Sequence, residues 1–181
     1  MPSKKQLLQM LHEEMKSNFP DKELIFGYGN INSKIMLLGE APGKEEVIQG
    51  KPFVGRSGRL LTRTLEKNKI SREKIYITNV VKFRPPNNKT PKTSEIKEYL
   101  LYLEKEILII KPKIICPLGN TALKALTEKG NVTKVRGKMA QEEIEGQKFL
   151  LLPTFHPAAI LRNMNRLSMF EKDLKKLKKY Y

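Results

Sequence analysis

Leu7, Leu8, Met10, Leu11 and Met15 fall near helical spacing within Lys4 to Asn18, so the pattern predicts an opening amphipathic helix. A short continuous apolar run, Ile35 to Leu38, then reads as a buried strand entering a turn flanked by Gly and Pro. The alternation repeats. Ser57 to Asn68 is predicted to be a helix, and the β-branched and aromatic run Ile75-Tyr76-Ile77-Thr78 a strand ending at Asn79. Thr93 to Ile110 reads as a long helix, with Ser94 as its N-cap and Pro112 beyond its end. Lys113 to Pro117 gives a third strand, Gly119 to Thr127 a helix, and Lys148 to Leu152 a strand with a hairpin partner near Gln141 to Glu145. Strands alternating with helices imply an α/β fold with a mainly parallel sheet covered on both faces. Ligands of such sheets bind outside the carboxyl ends of the strands, which puts Glu40, Asn79, Gly119-Asn120 and His156 on one rim.

The chain has 181 residues, enough for one domain spanning 1–181 with a core that needs no disulfide or structural metal. Its formal net charge of +16 predicts a polyanionic partner, nucleic acid foremost, with membrane surface and ribosome as the other candidates. The lysine-rich tail from Lys172 to Lys179 reads as a solvated helix face; the loop cluster Lys82-Phe83-Arg84 and Asn88 to Lys92 carries more functional weight. No stretch approaches the roughly 18 to 20 apolar residues that span a bilayer, so a cytoplasmic, nucleoid-associated protein is expected. The two Asn-x-Thr sequons, at Asn88 and Asn131, are then chance matches. The single cysteine, Cys116, lies in an apolar run and reads as a buried strand residue.

Candidate chemistry collects in the loops. Gly39-Glu40-Ala41-Pro42-Gly43 sets one carboxylate at a strand end, where it serves either as a catalytic group or as a cap for the next helix. In Gly50 to Gly58 the glycines admit a phosphate or a planar ring, and Phe53 either stacks on a base or plugs the loop. Neither loop has the spacing of a nucleotide-binding P-loop or of a dinucleotide-binding glycine motif. His156, one of two histidines, precedes Pro157, which biases it toward extended backbone and suits a helix start with amides facing a phosphate. His12 reads as a surface or packing residue. Two distant histidines and one cysteine make no zinc site, and no serine stands in a nucleophile elbow. The remaining set of one carboxylate, one imidazole, one amide and one aromatic ring suits cleavage of a bond to a nucleobase.

Six segments in order resemble the uracil-DNA glycosylase superfamily, in particular its family-four branch. They are Gly39 to Gly43, Gly50 to Arg56, Ile77 to Lys82, Arg84 to Asn87, Leu118 to Ala122 and His156 to Arg162, covering about residues 31 to 165. The resemblance implies a three-layer α/β/α sandwich that removes uracil from DNA and leaves an abasic site, acting as a monomer on uracil-containing DNA. It implies that Glu40 orients or activates water, that Gly39, Phe53 and Asn79 hold the flipped uracil, and that His156 stabilises negative charge on its O2. DNA contacts are expected from Gly55, Arg56, Ser57, Lys82, Arg84, Asn120, Pro157 and Arg162.

This sequence departs from the branch at one feature. Typical members bind a four-iron, four-sulfur cluster through four cysteines, whereas the N-terminal segment here has none, and Phe83 and Tyr99 stand at the other two positions. No cluster, other cofactor or metal is expected. Glycosylase action on hypoxanthine or xanthine, and a sensor that captures uracil or abasic DNA without turnover, are the competing functions. No His-containing basic insertion follows Gly55, which disfavours a covalent DNA adduct.

Overall fold

The computed structural model describes residues 1–127 and 130–181. The strands are β1 (Tyr28–Gly29), β2 (Ile35–Gly39), β3 (Tyr76–Asn79), β4 (Ile114–Pro117), β5 (Ala140–Ile144) and β6 (Gln147–Leu151). They form one mixed sheet in the order β1-β3-β2-β4-β6-β5. β3, β2, β4 and β6 run parallel, while β1 and β5 add antiparallel edges. β2, β3 and β4 are buried along their whole length, as apolar strands covered on both faces should be. The hairpin between β5 and β6 follows the sequence pattern; β1, with two residues, is too short to leave a periodic signal.

The helices are α1 (Lys4–Asn18), α2 (Lys44–Gln49), α3 (Arg56–Lys67), α4 (Thr93–Ile110), α5 (Asn120–Thr127), α6 (Val132–Val135), α7 (Pro157–Arg162) and α8 (Leu167–Lys175). The chain leaves β2 outward to β3 through α3, then returns past β2 to β4 through α4. Right-handed crossovers in opposite directions put those two helices on opposite faces. The packing agrees: α1 lies against α4, and α3 against α7 and α8, which makes the three-layer α/β/α sandwich. Ser3 starts α1 through a capping box in which its hydroxyl accepts the Gln6 backbone N–H and the Gln6 side-chain Oε1 accepts the Ser3 N–H. At α4 the expected N-cap is displaced: Lys92 is the extended cap residue, its N–H donates to Glu95, and Ser94 sits inside the first turn.

A polar knot lies inside the core. Lys82 is only 2% exposed, and its ammonium donates to Glu106 Oε2, Thr78 Oγ1 and the Asn79 carbonyl, each at 2.6 Å. Tyr76 donates to the other Glu106 oxygen at 2.7 Å. Burial first, and Glu106 next, push the Tyr76 phenol well above its ordinary range, so it remains a donor. Lys82 was expected at the DNA surface; its position is corrected here, because Val80, Val81 and Phe83 around it are all buried and carry it inward.

Charges removed from water on this scale are stable only when paired. Substituting Glu106→Ala would leave the ammonium unpaired and should cost about 3 to 5 kcal/mol of unfolding free energy in urea titrations. A loss below about 1 kcal/mol would contradict the pairing.

Candidate active site

The parallel register sets Gly39 opposite Asn79 at the carboxyl ends of β2 and β3. A Cβ on Gly39 would overlap both Asn79 Oδ1 and the Phe53 ring, so these two side chains converge on a spot that only glycine leaves open. Asn79 is 2% exposed, and its Oδ1 has no hydrogen-bond partner. A buried acceptor left unpaired is costly, and here it lines a cleft of about 770 Å3. Glu40, Phe53, Asn79, Gly119, Thr121 and His156 are among the residues around that cleft.

Glu40 follows β2 directly, and its backbone carbonyl accepts the Val81 N–H at 3.0 Å. Its Oε2 accepts the Thr121 hydroxyl at 2.5 Å. His156 comes from the β6 side of the sheet, where Thr154 forms an isolated parallel bridge with Leu118. It caps α7: the Ala158 N–H donates to His156 Nδ1 at 3.1 Å. A neutral imidazole that accepts at Nδ1 carries its proton on Nε2, which makes it a donor for the cleft. Burial, aided by the positive charge of Arg162, pulls His156 down to about 4, so the ring is neutral at ordinary pH. The Phe53 and His156 ring centroids are 5.7 Å apart.

Three polar side chains that sequence reasoning left without a role hold the loops. Glu46, on α2, accepts the backbone N–H groups of Gly43, Val54 and Gly55 and so ties the acidic turn to the Phe53 loop. Arg72 donates to the carbonyls of Pro52 and Phe53, fixing Phe53 in a left-handed conformation at φ 53°. Asp173, on α8, accepts from Arg136 and, at 2.7 Å, from the Thr154 hydroxyl two residues before His156. The spacing of Phe170, Asp173, Leu174 and Leu177 marks Asp173 as lying on an apolar helix face, which is the signal in the sequence that points to it.

The residues expected at DNA divide into two sets. Ser57, Asn120 and Arg162 line the cleft, together with Lys89 and Arg166, while Arg56 is exposed at the start of α3. Arg84 is half-buried near the cleft wall formed by Pro85 and Asn88, and its Nε donates to Asn88 at 2.8 Å. The Asn120 side chain accepts the Val132 N–H at 2.8 Å and so fixes α6. Gly55 is buried and its amide is engaged by Glu46, which corrects its expected phosphate contact. Pro157 is buried at the first position of α7, and the next amide goes to His156 rather than to a phosphate. Lys82 belongs to the core knot already described.

Phe83 and Tyr99, which the resemblance sets at two of the cluster positions, offer no thiolate to an iron–sulfur group. Phe83 and Tyr99 are buried with ring centroids 5.6 Å apart, and Phe19 stacks on Tyr99 at 4.4 Å. Cys116 lies in β4 with burial raising its thiol well above the ordinary range. Among the described residues no group of three or more His, Cys, Asp or Glu side chains could hold a metal ion.

The sandwich thus gathers a carboxylate, a neutral imidazole and an aromatic ring around one cleft at the strand ends, a set of groups suited to a planar polar ligand. The profile of the Uracil DNA glycosylase superfamily matches residues 26–178, and the chain belongs to that superfamily. It is 45% identical to a type-4 uracil-DNA glycosylase of Saccharolobus solfataricus, over 87% of this chain and 76% of that protein. It is 41% identical to a type-4 uracil-DNA glycosylase of Pyrobaculum aerophilum, over 92% and 91%. It is also 40% identical to a segment of a DNA polymerase of Bacillus phage SP01, over 82% of this chain but 16% of the polymerase.

The His156 shift has a definite sign. Between about pH 6.5 and 4 the unfolded chain binds a proton at this position that the folded chain refuses, so stability falls as pH drops through that window and levels off below it. NMR titration of the imidazole, with the second histidine assigned by His12→Gln, should show His156 neutral down to about pH 5. A midpoint near 6.5 would contradict the neutral-donor arrangement.

Proposed function

We propose that the protein hydrolyses the N-glycosidic bond of uracil in DNA, releasing free uracil and leaving an abasic site. The observation that carries this reading is the unpartnered Asn79 Oδ1, buried near the Phe53 ring in a cleft that Glu40 and His156 also line. Uracil offers an N3–H donor and an O4 acceptor, the complement of a carboxamide's carbonyl and amino group. Cytosine offers N3 as an acceptor and would set two acceptors against each other. Membership of the superfamily and the similarity to type-4 uracil-DNA glycosylases support the same reading.

The base must leave the stack to enter such a cleft, at a cost of a few kcal/mol that stacking on Phe53 offsets in part. As the C1′–N1 bond breaks, its electron pair stays with uracil and positive charge develops on the sugar. The neutral Nε2–H of His156 donates to uracil O2, where the anion concentrates charge. Glu40 takes the proton of the water whose oxygen bonds to C1′. The uracil anion is then protonated by solvent. Arg56, Arg84, Lys89, Arg162 and Arg166 supply positive charge around the cleft for the flanking phosphates. Lys82 is bound to Glu106 and withheld from the cleft, and no motif places another lysine as a Schiff-base nucleophile, so a monofunctional enzyme is expected, with strand scission left to a separate agent. The aromatic packing of Phe19, Phe83 and Tyr99 does the structural work of a cluster, and no iron–sulfur group is needed.

With uracil oligonucleotides, wild-type protein should produce strand breaks only after alkali. Glu40→Gln and His156→Asn should each slow single-turnover cleavage by about 100-fold or more while DNA affinity changes little. Arg162→Ala should weaken binding and reduce the slope of log affinity against log salt by about 1. Equal losses of affinity and rate in all three variants would contradict these roles. Protein purified without air should carry no stoichiometric iron or acid-labile sulfide; finding both would overturn the cluster-free assignment.

A further inference from the structure

Thr121 stands in the first turn of α5, and its hydroxyl reaches across to Glu40, 81 positions earlier in the chain. Two other helical threonines bond backwards: Thr64 donates to the Leu60 carbonyl and Thr127 to the Leu123 carbonyl, both at 2.9 Å. For Thr121 the equivalent carbonyl is that of Pro117, which accepts the Thr154 N–H at 3.1 Å as part of the sheet extension. The hydroxyl bonds instead to the Glu40 carboxylate.

The base on which Thr121 stands is fixed from several directions. Gly119 has φ +91°, a conformation that side chains rarely adopt, and a Cβ there would come within 3.0 Å of the His156 Cβ. Its N–H donates to the Thr154 carbonyl at 2.9 Å, and the Asn120 side chain holds Val132. The start of α5 thus touches His156 on one side and Glu40 on the other.

We propose that Thr121 is a positioning residue for the hydrolysis. It donates to Oε2 of Glu40, fixes the plane of the carboxylate, and leaves Oε1 to receive the proton of the attacking water. This rests on the role given to Glu40 above. Thr121→Val keeps the side chain's shape and removes the donor, whereas Thr121→Ser keeps the donor.

The test is a double-mutant cycle in single-turnover cleavage of a uracil oligonucleotide, with DNA affinity measured in parallel. Thr121→Val should slow cleavage about tenfold or more with affinity within about twofold of wild type, and Thr121→Ser should recover most of the rate. In the Glu40→Ala background the valine should have no further effect, because there is no carboxylate left to orient. A wild-type rate for Thr121→Val beside a slow Glu40→Ala overturns the role of Thr121 alone. An equal loss from valine in both backgrounds also overturns it, since that is how a purely structural residue behaves. A wild-type rate for Glu40→Ala overturns the role of Glu40 and this inference with it.

Discussion

Because β2 pairs in parallel with both β3 and β4, with Gly39 opposite Asn79 and Leu38 opposite Pro117, three chain segments leave the sheet at the same level. The Leu118–Thr154 bridge extends that level to the segment carrying His156. A slip of one residue in any of these pairings would turn a cleft side chain to the opposite face of the sheet. The active-site geometry is thus a consequence of strand register, and the loops elaborate it. Gly39 is the point where the constraint is tightest, since the Asn79 amide and the Phe53 ring both close on a position that tolerates no Cβ.

Register needs support on the side away from the cleft, and the core knot of Lys82, Glu106, Tyr76 and Thr78 lies under the end of β3. Lys82 donates to the carbonyl of Asn79 itself, so the residue proposed to meet the base is held from behind by a buried side chain. A similar arrangement serves His156: Asp173 holds Thr154, and the guanidinium groups of Arg136 and Arg166 stand over the Phe155 ring, 5.5 and 5.0 Å from its centroid. Asn79 and the segment carrying His156 are thus each held by a buried polar partner behind the cleft, Lys82 in one case and Asp173 in the other.

Much of this was legible in the sequence. The short apolar runs at Ile35 to Leu38 and Lys113 to Pro117 gave strands because strands buried on both faces carry no polar alternation, and the rim rule then gathered Glu40, Asn79 and His156. What escaped were polar residues whose partners are distant in the chain. Lys82 reads as a DNA contact from its place in a basic loop cluster and a family-like segment, although its flanking residues Val80, Val81 and Phe83 are apolar and all buried. Thr121 lay within a recognised segment, yet nothing local announces that its hydroxyl reaches a carboxylate 81 residues away. The Ser94 cap failed for a local reason: Lys92 has the extended backbone a cap needs, and Glu95 satisfies its amide.

The account makes a chemical claim about one bond, and the products of a reaction run in 18O-labelled water test it most directly. Mass spectrometry of a uracil oligonucleotide after incubation with the protein should find unlabelled free uracil and a full-length strand with one abasic site, the unlabelled uracil being the informative readout because the abasic C1′ oxygen exchanges with solvent. A nicked strand without alkali, label in the released uracil, or a bound oligonucleotide that retains its base would contradict hydrolysis at C1′.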